Sequence, residues 1–129
     1  MSEIETPADR LRAAAIRVRG GWRRGVLVDE RGQRCAIGAI LNAQADVHRT
    51  SQAEAAVLAD STASKAAAAL HWHLSTTDGE HRDRMFFAHW RVVDDIEEWN
   101  DGSEMTGVHV AEVMEKAAAA WEENPDAAR

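Results

Sequence analysis

Apolar positions recur along most of this chain at the spacing of an α-helix, and one short stretch breaks that period. Thr6-Pro7-Ala8-Asp9 opens the first helix. Thr6 can cap it, Pro7 suits its first turn, and Asp9 favours the positive end of the helix dipole. Leu11, Ala14, Ala15 and Val18 then share one face, Ile16 lies near its edge, and Gly20-Gly21 ends the helix. The exception follows at Val26-Leu27-Val28, a β-branched cluster flanked by turn residues. Asp29-Glu30-Arg31-Gly32 after it predicts a tight turn, with Gln33-Arg34-Cys35 as the return strand of a small hairpin.

The helical period then resumes. Cys35 to Ala45 is apolar nearly all round, which predicts a buried central helix, and Gly38 within it predicts close approach of another backbone. Ser51-Gln52-Ala53-Glu54 has capping-box spacing and opens a short helix carrying Val57 and Leu58. Ser61 or Thr62 restarts helix through Leu70, Trp72 and Leu74, and periodicity leaves open whether residues 51–74 form one helix or two. Ser75-Thr76-Thr77-Asp78-Gly79 reads as a loop. A long helix from about Glu80 carries Met85, Phe86, Trp90, Val93 and Ile96 to Trp99, and Asn100-Asp101-Gly102 ends it. Thr106 caps a last helix with Val110, Val113, Met114, Ala117 and Trp121 inward, broken at Asn124-Pro125-Asp126. The expected class is α+β, mainly α: about five helices around a central buried helix, with one small β-hairpin. A single domain spans 1–129, with an ordered core at about 6–123 and frayed ends.

Composition supports the helices, since 25 of 129 residues are Ala. The single Cys excludes a disulfide framework and any multi-Cys zinc site. No apolar run approaches the ~18–20 residues of a membrane span, and the first thirty residues hold no apolar signal core. The expected location is the cytoplasm. Net charge is −7, distributed as +3 over residues 1–34, −2 over 35–90 and −8 over 91–129. An acidic C-terminal third disfavours a phosphate-binding surface and hence nucleic acid. The Arg-rich start (Arg10, Arg12, Arg17, Arg19, Arg23, Arg24) is expected on solvated faces, paired with the acidic end.

Candidate chemistry centres on Cys35. A thiol at a helix N-terminus beside Arg34 can have a lowered pKa and act as a nucleophile, with His71, His73, His89 or His109 as base and Asn100 or Asp101 as orienter. His109 is the first choice of base because it follows the Asn100-Asp101 turn, which gives the set Cys35, His109, Asp101. Against it stand the apolar neighbours Ala36 and Ile37, which point to a buried structural Cys. The histidines lack metal-ligand spacing, and no Gly-rich loop suits a phosphate, so neither metal nor cofactor is predicted. Asp94-Asp95 and Glu97-Glu98 read as a solvated acidic face rather than a paired-carboxylate site. Five Trp are many for this length, and Trp22, Arg24, Trp99 and Asn100 are the candidate interaction residues.

Gly21-Trp22-x-x-Gly25, then Asp29-x-x-Gly32-x-x-Cys35-Ala36-Ile37-Gly38-Ala39-Ile40, then Trp99-Asn100-Asp101, Thr106 and Glu115-Lys116-Ala117-Ala118, together form a pattern over roughly residues 10–120. It resembles an uncharacterised domain-of-unknown-function family of small proteins in actinobacteria and their phages, and departs from it at Gly102-Ser103-Glu104-Met105. The resemblance implies a phage or mobile-element context and no reaction. The expected function is a small phage-type accessory protein acting by protein–protein contact with a host or phage protein, with a homodimer as a further expectation. A Cys35-dependent hydrolase or transferase is the alternative.

Overall fold

The computed structural model describes residues 5–23, 33–41, 56–57, 59–77, 92–102 and 105–125. Five helices can be delimited among them: α1 (Pro7–Gly20), α2 (Ala36–Leu41), α3 (Ser61–Thr77), α4 (Val92–Asn100) and α5 (Gly107–Glu123). Helix α1 forms as its sequence predicts. Thr6 Oγ1 accepts from Asp9 N–H, and the Asp9 carboxylate accepts from Thr6 N–H, closing a reciprocal capping box. Leu11, Ala14, Ala15 and Val18 are buried, and Ile16 is turned outward. Helix α5 begins at the Thr106 cap and ends at Asn124. Its buried stripe is Val110, Ala111, Val113, Met114, Ala117 and Ala118, whose small members let α1 and α5 pack closely along their length.

Helix α2 lies inside the assembly, against α1, α3 and α4. Ala36 through Ile40 are all buried, as the all-round apolar pattern predicts. A buried helix of six residues cannot leave its end groups to water, so side chains from its neighbours satisfy them. Arg17 donates to the Ala39 carbonyl at 2.9 Å and Arg10 to the Ile40 carbonyl at 3.0 Å. Both cations sit where a helix dipole favours them. Arg10 also pairs with Glu5 and Asp60, while Arg12 and Arg19 pair with Glu122 and Glu115 of α5. The four arginines of α1 are thus spent within the fold, two of them on the acidic C-terminal third.

Two expectations require correction. The class is all-α: no strand is delimited among the described residues, and the small hairpin is not part of the described structure. Arg34, assigned to the return strand, makes one isolated bridge with Trp22, and that bridge is parallel. Its N–H donates to Gly21 O and its carbonyl accepts from Arg23 N–H, so its backbone is satisfied without an antiparallel ladder. The partner strand expected at 26–28 lies outside the described residues.

The second correction is at Ser75–Thr77, expected as loop, where α3 continues instead. Thr76 and Ser75 turn their hydroxyls back onto the Trp72 carbonyl and so remain compatible with helix. Between 51 and 77, Ala56, Val57 and Ala59 are helical, Asp60 is not, and α3 starts at Ser61. Asp60 is its cap, with Oδ1 accepting from Thr62 and Ala63 N–H at 3.1 and 3.0 Å. The expected helical stretches at 42–45 and 80–91 lie outside the described residues.

Candidate functional site

Three described stretches of the sequence pattern, at Trp22, Ala36 and Asn100-Asp101, meet at one side chain. Helix α4 ends at Asn100, which is fully buried. Its Oδ1 accepts from the Trp22 indole N–H at 2.7 Å and from the Ala36 N–H at 3.0 Å. Its Nδ2 donates to the Arg23 carbonyl at 3.3 Å and to Asp101 Oδ1 at 3.1 Å. A primary amide has two acceptor sites and two donors, and all four are used. One residue therefore ties the segment after α1, the N-terminus of α2 and the end of α4. Trp22 is clamped from the other side by Gly107, where an added Cβ would come within 2.8 Å of the Trp22 Cβ.

Cys35 stands next to this lock. Its carbonyl accepts the first bond of α2, from Ala39, and its Sγ accepts from Gly38 N–H at 3.4 Å. It occupies the N-cap position, with the thiol in the role usually given to Ser or Asp. The cysteine is 2% exposed. Burial pushes its thiol up to about 12; the Gly38 N–H opposes this weakly, while the Glu97 and Asp101 carboxylates add to it. The helix terminus was expected to lower the thiol, and desolvation outweighs it.

The other predicted residues fall in different places. Asp101 is exposed at the end of α4 and accepts from Asn100. His109 is exposed in the first turn of α5, with its N–H on the Thr106 hydroxyl. Cys35 and His109 share no hydrogen bond among the described residues. Trp22 is half-buried, Trp99 and Asn100 are buried, and Arg24 lies outside the described residues. The polar groups brought together are thus those of Trp22, Arg23, Ala36, Asn100 and Asp101.

The acidic stripe of α4 is not uniformly solvated, contrary to the sequence reading. Asp95 turns inward and shares a 2.8 Å hydrogen bond with His71 of α3, both side chains being buried. A histidine held by a carboxylate is the orienting half of a catalytic triad, but here it lies inside the α3–α4 contact. Glu97 is half-buried, and its carboxyl is raised to about 7 by desolvation first and by Asp94 and Asp101 next. Sequence reasoning missed both groups. The signal was present, since Asp95 shares the helix face of buried Trp99 four residues on. Among the described residues no group of three or more His, Cys, Asp or Glu is placed to hold a metal ion, and no helix is long and apolar enough to cross a membrane.

Among the described residues these features define an all-α fold organised around a saturated buried amide. The chain belongs to a family of unknown function, DUF6197, whose model matches residues 2–120. No curated protein and no solved structure matches it.

Proposed function

We propose that this chain is a small phage-type accessory protein that acts by contact with a host or phage protein in the host-cell cytoplasm, without catalysis. The observation that supports the non-catalytic part of this reading is the saturation of Asn100. A site that handles substrate leaves donors and acceptors open toward it. At Asn100 they are consumed by the fold. Cys35 supports the same reading, because a buried thiol raised to about 12 is a poor source of thiolate.

The test is affinity capture with the tagged full chain from host lysate at low and high salt, run beside turnover assays on ester and amide probes. Saturable capture of one discrete protein, with no turnover that depends on Cys35, is expected. Turnover that disappears in Cys35→Ser, with no captured partner, contradicts the reading.

A further inference from the structure

Ile16 is the most exposed large hydrophobic residue among those described, at 71%. Two ion pairs order its surroundings: Arg12 with Glu122 and Arg19 with Glu115. Rising numbers on α1 meet falling numbers on α5, so the two helices run antiparallel. Ile16 lies four residues after Arg12 and three before Arg19. Ala119, also exposed, holds the equivalent place between Glu115 and Glu122. Helical spacing of three and four puts each between its flanking charges on the outer rim of the α1–α5 seam. The α1 side of this face thus carries two cations around a large apolar side chain, and the α5 side two anions around a small one. In a chain of net charge −7, these four charges cancel locally.

We propose that the α1–α5 face is a self-association surface that docks a second copy of this chain about a two-fold axis lying along the seam. Charge selects this axis. It lays the α1 row of each copy over the α5 row of the other, so Arg12 and Arg19 face Glu122 and Glu115 of the second copy. Ile16 then covers the small Ala119 of the second copy, and the contact repeats by symmetry. An axis across the seam would instead set Arg12 over Arg19 of the second copy and glutamate over glutamate, which repels. A face two helices wide is at the small end of specific interfaces, so the dimer forms at high protein concentration.

Sedimentation of the full chain from about 10 μM to about 1 mM tests this, a range that spans weak association. The average mass rises from 14.2 kDa toward twice that value. Ile16→Glu, an exposed position that leaves the helical circular dichroism intact, holds the protein monomeric throughout. The double exchange Arg12→Glu with Glu122→Arg keeps the pair within each copy, so this variant associates with itself but mixes poorly with wild type. Wild type that stays monomeric at the highest concentration, or Ile16→Glu that associates equally well, overturns the proposal. Free mixing of the exchanged variant with wild type overturns the axis.

Discussion

Replacing Asn100 with Ala removes four hydrogen bonds at once and strands the groups that made them. The Ala36 N–H is buried and has no water to turn to, so it carries the cost of an unmet donor, about 1–3 kcal/mol. The Trp22 indole is only half-buried and recovers part of its loss from solvent. With the Arg23 carbonyl and the vacated side-chain volume added, the expected loss is about 2–4 kcal/mol, a large share of the ~5–15 kcal/mol typical of a domain. Asn100→Asp separates the two halves of the amide. It keeps an oxygen for Trp22 and Ala36, but sets a second one against the Arg23 carbonyl and Asp101 Oδ1, where the amide donated. Its deficit relative to wild type shrinks as the pH falls, because the protonated carboxyl regains one donor. Urea unfolding followed by tryptophan fluorescence, with an unchanged m-value, reads both variants. An Asn100→Ala protein within about 0.5 kcal/mol of wild type would refute the lock, since surface substitutions alone fall in that range.

The two glycines of α1 and α5 respond in opposite directions. Gly107→Ala drives a Cβ into Trp22 and loses about 1–3 kcal/mol by overpacking, whereas Gly20→Ala has open space and gains up to ~1 kcal/mol; thermal unfolding of the pair checks the contrast. Glu97 sets a pH trend of its own. Its carboxyl titrates near 7 in the folded chain against 4.5 in the unfolded one, so the folded state holds the proton longer. That contribution is full below 4.5 and is lost as pH rises to about 7. Stability measured from pH 4 to 8 should therefore fall in wild type relative to Glu97→Gln across this window, and parallel curves would show that Glu97 is not desolvated.

The parts of the fold that were legible in the sequence are those fixed by neighbours along the chain. The Thr6 and Thr106 caps, the stop at Gly20-Gly21, the break at Asn124-Pro125 and the inward stripes of α1 and α5 all follow from local chemistry and helical period. The buried character of α2 follows from its composition. What was not legible depends on partners far along the chain. In sequence Asn100 marks a helix end and offers itself as an orienter or interaction residue, yet its oxygen serves groups 64 and 78 residues away inside the fold. Asp95 looked like one more acid on a charged helix until packing placed His71 against it. Arg34 follows a turn signal that lies outside the described residues, and among those described it makes a single parallel bridge with Trp22, a pairing that local sequence does not specify. The Ser75–Thr77 stretch has loop composition, and its hydroxyls fold back on the helix instead. At Cys35 two real effects compete, a helix terminus and burial, and only the packed structure shows that burial dominates.

Cys35 is a structural cap inside the fold, and its alkylation rate measures that directly. With a thiol raised to about 12 and 2% exposed, native protein at neutral pH should react with iodoacetamide far more slowly than a free thiol of pKa ~8.5. The rate should rise with urea along the same transition that tryptophan fluorescence reports. Rapid stoichiometric alkylation of the folded chain at neutral pH, with its helical signal retained, would contradict the account and return Cys35 to the list of nucleophiles.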